Sequence, residues 1–175
     1  MPVVKQVMDA GAIQLAIARV AHEIAEAHAR ADDVVIVGIQ CGGVSVAERL
    51  ATELSAIWKA ELSAATLDAS MHRDDLSTRA PAAIHHTELP DDIDGKFLIL
   101  VDDVVASGRT VRAALDALNS FGRPKAIQLA VLVDRGDREL PIQPDFCGKE
   151  IKADAGNRIT VHLGEEEDAV LMEAQ

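Results

Sequence analysis

Residues 97–118 read FLILVDDVVASGRTVRAALDAL, and no other stretch constrains the fold as tightly. The run Phe97-Leu98-Ile99-Leu100-Val101 is short and unbroken in its apolarity, the pattern of a strand covered on both faces and therefore of a parallel sheet. Two carboxylates, Asp102 and Asp103, stand at its carboxyl end, and Val104-Val105-Ala106 reads as a short loop. Ser107-Gly108-Arg109-Thr110 then opens a helix whose apolar residues Val111, Ala114, Leu115 and Leu118 fall on one face. The crevice beyond the carboxyl ends of parallel strands is where open α/β sheets bind ligands. Free N–H groups at a helix start, a glycine that permits close approach, and two hydroxyls make a cradle for a phosphate. Adjacent carboxylates suit a sugar diol or the waters of a Mg²⁺ ion. The bland alternative is a plain βα turn with solvated aspartates and Thr110 as the helix cap.

A second unit of this kind lies upstream. Residues 34–39 (VVIVGI) form a buried strand, Gly38-Ile39-Gln40-Cys41-Gly42-Gly43 a glycine-rich turn, and residues 44–58 an apolar-periodic helix. The turn lacks the G-x-G-x-x-G dinucleotide fingerprint and the Gly-Lys-Ser/Thr of a Walker A loop. A tight structural turn remains its simplest reading, and Cys41 reads as a small loop residue with no base placed beside it. Residues 126–134 supply a third buried strand, and 64–71 a further one. Residues 12–30 read as an amphipathic helix with the stripe Ile13, Ala16, Ile17, Val20, Ala21, Ile24 and Ala27, leaving His22 and His28 on its solvated margin. A polar stretch from His72 to about Pro90 has the length of a functional loop, and residues 90–95 a turn. Gly122 suits the position just past the central helix, with Pro124 at the exit. Near the end, 158–163 alternates as an edge strand, 165–168 is an acidic turn and 169–172 pairs back as a hairpin.

The chain is one domain of 175 residues, 49% hydrophobic, with three Phe, one Trp and no Tyr, so aliphatic side chains must fill its core. No apolar run nears the ~20 residues that span a bilayer, and the N-terminus lacks the pattern of a secretory signal, so a cytoplasmic location is expected. Cys41 and Cys147 are too few for a disulfide framework and sit in no metal spacing. The formal net charge of −12 opposes nucleic-acid binding, which depends on Lys and Arg at phosphates.

VDDVVASGRT, at residues 101–110, resembles the phosphoribosyl pyrophosphate (PRPP) motif of the type I phosphoribosyltransferases. Residues 101–118, 127–142 (IQLAVLVDRGDRELPI) and 73–76 (RDDL) resemble the PyrR family within them, the pyrimidine-operon regulators that are also uracil phosphoribosyltransferases. The similarity runs from about Met8 to the C-terminus. It implies an α/β fold of three layers with a mostly parallel sheet, a small hood built from both termini, and a lid at about 71–90. It implies transfer from PRPP to uracil, giving UMP and pyrophosphate. In that scheme Asp102, Asp103 and Arg73 are catalytic, and Val104, Val105, Ala106, Ser107, Gly108, Arg109 and Thr110 hold the 5′-phosphate. Gln40, Cys41, Gly42 and Gly43 form the pyrophosphate loop, while Asp134, Arg135 and Arg138 border the base under the hood. Mg²⁺ is implied as a companion of PRPP, reached through water from Asp102 and Asp103 and with no direct protein ligand.

The chain departs from the family at Cys41-Gly42-Gly43, where Thr-Arg-Gly is usual, so a cation is missing from the pyrophosphate loop. Ala106 stands where purine enzymes of the superfamily carry an Asp, which favours a pyrimidine. The resemblance also implies leader-RNA contacts. At the matching positions Ala18, Asp137 and Gln143 are neutral or acidic, and His22, Arg138 and Lys149 remain as candidates. A homodimer or tetramer is implied as well. Three alternatives stay open: a UMP- or PRPP-sensing protein with little turnover, a purine phosphoribosyltransferase, and an RNA regulator.

Overall fold

A computed structural model describes residues 4–75, 83–164 and 166–174. The central strand is β4 (Phe97–Val105), flanked by β2 (Val34–Ile39) and β5 (Ala126–Asp134). With β3 (Ala64–Leu67) and β6 (Phe146–Glu150) they form a five-stranded sheet of order β3-β2-β4-β5-β6, parallel at every pairing. Side chains alternate across these strands, and that alternation sorts two cores. Ile36, Ile99, Val101, Ala130 and Leu132 pack under α1 (Ala10–Ala27) and α2 (Gly42–Trp58). Val37, Leu98, Leu100 and Val131 face α3 (Arg109–Leu118) on the opposite side. Three layers follow.

Strands β1 (Val4–Met8), β7 (Asn157–His162) and β8 (Ala169–Ala174) make a separate antiparallel sheet of order β1-β8-β7. It joins the α1/α2 core through Met8, Ile159 and Val170. Arg49 of α2 grips Asp168, just before β8, with both guanidinium nitrogens at 2.5 and 2.9 Å. This second sheet draws its strands from the two terminal segments, and the terminal hairpin forms as the alternation predicts.

Several local expectations need correcting. Strand β4 does not stop at Val101 but runs through Asp102 and Asp103 to Val105, because β5 continues to pair with it as far as Val105↔Asp134. Strand β3 ends at Leu67, and residues 70–72 curl into a 3₁₀ turn. Helix α1 starts earlier, where Asp9 accepts the Ala12 N–H at 2.8 Å, and ends at Ala27, which is exposed. His28 is not on a solvated margin. The extended cap turns it inward, where it is 6% exposed, bonds Gln128 Oε1 at 2.6 Å and lies against the Phe97 ring. Helix α3 ends at Leu118, and Gly122 lies beyond a further turn instead of at the helix end. Strands β1 and β6 carry no clear sequence signal. The expected lid falls partly on residues 76–82, outside the described residues.

Candidate functional site

The site assembles where β2 and β4 end and α2 and α3 begin. The polypeptide leaves β2 through Gln40 and Cys41 and enters α2 at Gly42-Gly43, pressed against the end of β4. A Cβ on Gly42 would lie 2.1 Å from Asp103 Oδ2, and one on Gly43 would lie 2.3 Å from the Val101 carbonyl oxygen. Only glycines allow the loop to sit on the carboxylates. Asp103 is half-buried, and its Oδ1 accepts the Val104 N–H at 2.7 Å. Asp102 is deeper, and its Oδ1 accepts the Asp103 N–H at 3.0 Å. Burial, reinforced by the Asp103 charge, pushes the Asp102 carboxyl well above the usual range, against a smaller opposing pull from Arg73.

Beyond β4 the chain turns at Gly108, which caps α3 with φ +92°. No side chain there closes off the first turn as a helix cap, although the Ser107 hydroxyl accepts the Arg109 N–H at 3.3 Å. The helix start therefore retains the donors and positive potential that favour an anion. Arg73 follows the 3₁₀ turn of residues 70–72, which packs beside α3, and reaches the same point. It donates to Thr110 Oγ1 at 2.6 Å and forms a two-pronged bond to Asp75 at 2.8 and 3.0 Å. The Asp75 bond holds its guanidinium more firmly protonated than usual.

Eight of the ten catalytic and 5′-phosphate candidates, all but Asp103 and Arg109, line one cavity of about 190 Å³: Arg73, Asp102, Val104, Val105, Ala106, Ser107, Gly108 and Thr110, joined by Val111. Val105 borders this cavity although its own side chain is buried toward α3. Arg73 and Thr110 also border a neighbouring cavity of about 180 Å³, together with Gln40, Cys41, Asp68, Ser70 and His85. Arg109 points elsewhere, pairing with Asp74 at 2.5 Å and Glu139 at 2.7 Å; Arg112 also reaches Asp74, at 3.1 Å.

The residues after β5 form a third group. Arg138 clasps Asp134 through both terminal nitrogens, at 2.8 and 2.7 Å, and donates to the carbonyls of Ala106 and Ile142. Burial pushes Asp134 up, but the bonds from Arg138 and from the Gly136 N–H outweigh it and hold the carboxyl below its usual range. Glu139 and Leu140 donate their N–H groups to the Ser107 carbonyl. The 135–142 loop is thereby fastened to the phosphate turn. Arg135 pairs with Asp137 at 2.7 Å, while its Nε is buried without a partner among the described residues. Asp134, Arg135, Arg138 and Gln143 line a further cavity of about 170 Å³. The RNA candidates each have a separate partner: His22 bonds its own helix at the Ala18 carbonyl, Lys149 bonds the Val7 carbonyl, and Arg138 is engaged by Asp134.

Sequence reasoning missed Cys41 Sγ lying 3.0 Å from His85 Nε2, and the grip of Arg109 and Arg112 on Asp74. These partners are far apart in sequence, and no local signal joins them.

The family model "Phosphoribosyl transferase domain" matches residues 3–165. The chain is 50% identical over 167 residues to "Bifunctional protein PyrR" of Roseiflexus sp. (strain RS-1), covering 95% of this chain and 91% of that protein. The Streptomyces coelicolor protein of the same name is 49% identical over 174 residues, with 98% and 90% covered. The chain belongs to the PyrR family of phosphoribosyltransferases. The fold is shared more widely. A Trypanosoma cruzi hypoxanthine phosphoribosyl transferase superposes with a TM-score of 0.69 at 18% identity, over 87% of this chain and 80% of that one. A Bacillus anthracis hypoxanthine-guanine phosphoribosyltransferase gives 0.66 at 19%, over 85% and 84%. Among the described residues, no helix is long and apolar enough to cross a membrane.

Proposed function

We propose that this phosphoribosyltransferase moves the phosphoribosyl group of PRPP onto uracil, yielding UMP and pyrophosphate. The observation that carries the reading is the cavity lined together by Arg73, Asp102, residues 104–108 and Thr110, beside an open helix start. Ser107, Thr110 and the first N–H groups of α3 hold the 5′-phosphate. Asp103, supported by Asp102, accepts from the ribose hydroxyls. The pyrophosphate lies toward Gln40, Cys41, Gly42 and Gly43, with Arg73 bordering both cavities and balancing its charge. The C–O bond at the anomeric carbon breaks with its electron pair going to pyrophosphate, so positive charge grows on the sugar. Here the protein positions the reactants and stabilises charge more than it exchanges protons. Asp134, Arg135 and Arg138 shape the wall on the base side.

The donor set suits Mg²⁺ that arrives with its phosphates. Asp102 and Asp103 are neighbouring oxygen donors at the cleft, too few for a protein cage and fitted to an ion that keeps several waters. Bound with PRPP, the ion would neutralise pyrophosphate charge. The segment 71–90 is read as a lid and 1–175 as a single functional domain. A cytoplasmic location and a homodimer or tetramer complete the proposal.

Ala106 favours a pyrimidine, since its methyl group offers no acceptor or donor to a purine ring nitrogen. The test is turnover with PRPP, Mg²⁺ and each of uracil, hypoxanthine, guanine and orotate, with Asp103→Asn as control. Uracil turnover lost in the control supports the reading. Purine turnover would overturn the substrate, and tight UMP binding without any turnover would make the chain a sensor. The relatives' name, bifunctional, motivates RNA regulation as a second activity. Exposed His22 and Lys149 support it, the net charge of −12 opposes it, and absence of leader-RNA binding at low salt would remove it.

A further inference from the structure

Cys41 and His85 form a side-chain pair to which the proposed transfer assigns no proton or bond, although the Cys41 backbone belongs to the pyrophosphate loop. Cys41 Sγ lies 3.0 Å from His85 Nε2, and the cysteine is exposed. The pairing joins a turn between β2 and α2 to a segment 44 residues later, and that segment is firmly held. Thr66 and Glu88 exchange N–H···O bonds at 2.9 Å, and the Asp68 N–H donates to Thr87 Oγ1 at 2.9 Å. The His86 carbonyl accepts from Gln40 Nε2 and Thr66 Oγ1, both at 3.3 Å. The His85 N–H donates to Asp68 Oδ2 at 2.7 Å. The imidazole is thus placed by β3 and by Gln40, next in the chain to the thiol. Cys41 is also the N-cap of the 17-residue helix α2, whose amino end favours an anion. A thiol becomes a nucleophile when a base takes its proton and its surroundings favour the sulfur anion. Cys41 has an imidazole nitrogen within reach and stands at a helix start.

We propose that Cys41 is a modification site: a nucleophilic thiol, served by His85 as base, that reacts with hydroperoxides and closes the pyrophosphate side of the cleft. His85 accepts the thiol proton, and Sγ attacks one peroxide oxygen. The O–O bond breaks, sulfur is oxidised by two electrons, and the leaving oxygen takes the proton from His85 and departs as water or an alcohol. The product is a sulfenic acid. A low-molecular-weight thiol condenses with it, releasing water and leaving a mixed disulfide. A second thiol displaces Cys41 and restores it. The cavity on which Cys41 opens, about 180 Å³ and shared with Arg73 and Thr110, is small enough for such an adduct to fill. Cys147 provides an internal reference. It is half-buried in β6, and burial pushes its thiol above the usual range, which disfavours reaction.

The first test is iodoacetamide labelling of the folded chain, followed by peptide mass analysis. Cys41 should label at least about tenfold faster than Cys147, and His85→Gln should slow Cys41 by about tenfold at an unchanged melting temperature. Equal rates at Cys41 with and without His85 would overturn the proposal. Prior addition of Mg²⁺-pyrophosphate should protect Cys41, and unaltered labelling would place the thiol outside the cleft and overturn the gating. The closure also rests on the phosphoribosyltransferase reading, so it is tested separately. Hydrogen peroxide followed by glutathione should abolish uracil turnover, and excess dithiothreitol should restore it. Cys41→Ser should hold its own starting rate, whatever its level, through the same treatment. Loss of that rate in Cys41→Ser would overturn the gating. A chain that never turns over uracil leaves the labelling result to decide the thiol chemistry alone.

Discussion

Gly42→Ala isolates the apposition of the glycine loop and the carboxylates. The new methyl carbon would stand 2.1 Å from Asp103 Oδ2, whereas ordinary contact begins at 3.4 Å, so about 1.3 Å must be recovered. The obstructing atoms belong to the Asp103 carboxyl group, which can swing aside. The fold is therefore expected to survive while the carboxylate loses its aim. A misplacement of about 1 Å at a positioned group costs on the order of 10²-fold in rate. Steady-state kinetics with PRPP and uracil should show kcat/KM down by about that factor, with only a small fall in Tm.

Gly43→Ala is the matching control, because its methyl would meet the Val101 carbonyl oxygen at 2.3 Å and the Asp102 Cα at 3.0 Å. Backbone cannot step aside, and overpacking of this kind costs about 1–3 kcal/mol. Gly43→Ala should thus lose stability, while Gly42→Ala should lose mainly activity. Retention of kcat/KM within about threefold by Gly42→Ala, at unchanged Tm, would refute the claim that Asp103 must be aimed against this loop.

Arg138→Met should destabilise the chain by roughly 3 kcal/mol in urea unfolding, because it strands the buried Asp134 carboxylate and frees the Ala106 carbonyl. A loss below about 1 kcal/mol would show the clasp to be dispensable. Arg73→Gln should lower kcat/KM for PRPP by on the order of 10²-fold, as expected when one charge-stabilising donor is removed; an unchanged value would place Arg73 outside the reaction. Asp102 is held above its ordinary value of 3.8, so the folded chain binds that proton more tightly than the unfolded chain. Its contribution is then most favourable below that value and falls as pH rises toward the raised one, so Asp102→Asn should gain stability relative to the parent as pH climbs above 3.8. A pH-independent difference would contradict the burial argument.

The parts of the molecule legible in sequence are those governed by short periods. Strands β2, β4 and β5 announce themselves as apolar runs, and α1 by the stripe from Ile13 to Ile24, because each is covered on a full face. The phosphate turn was legible for a related reason: its chemistry lies within a few consecutive residues. The end of β4 was not. Asp102-Asp103 looks like the start of a loop, yet the partner strand β5 continues alongside and the ladder continues with it. Strand β6 reads FCGKE without alternation and is specified by its neighbours, with Arg19 covering the Cys147 and Gly148 carbonyls. His28, turned inward by the extended cap, finds its partner in Gln128, 100 residues away.

The same limit explains why the chemistry of the cleft exceeds its motif. Arg73 and Asp74 hold the start of α3 through Thr110, Arg109 and Arg112. Across the gap in the described residues, His85 and His86 hold the turn that opens α2 through Cys41 and Gln40. One polar segment therefore touches both helix starts that face the cleft, at its two ends. A phosphate bound at Thr110, as proposed, would compete with Arg73 for that hydroxyl, and the proposed adduct at Cys41 would displace His85. The described residues on either side of that gap therefore meet the phosphate turn and the glycine loop through contacts that no local pattern marks.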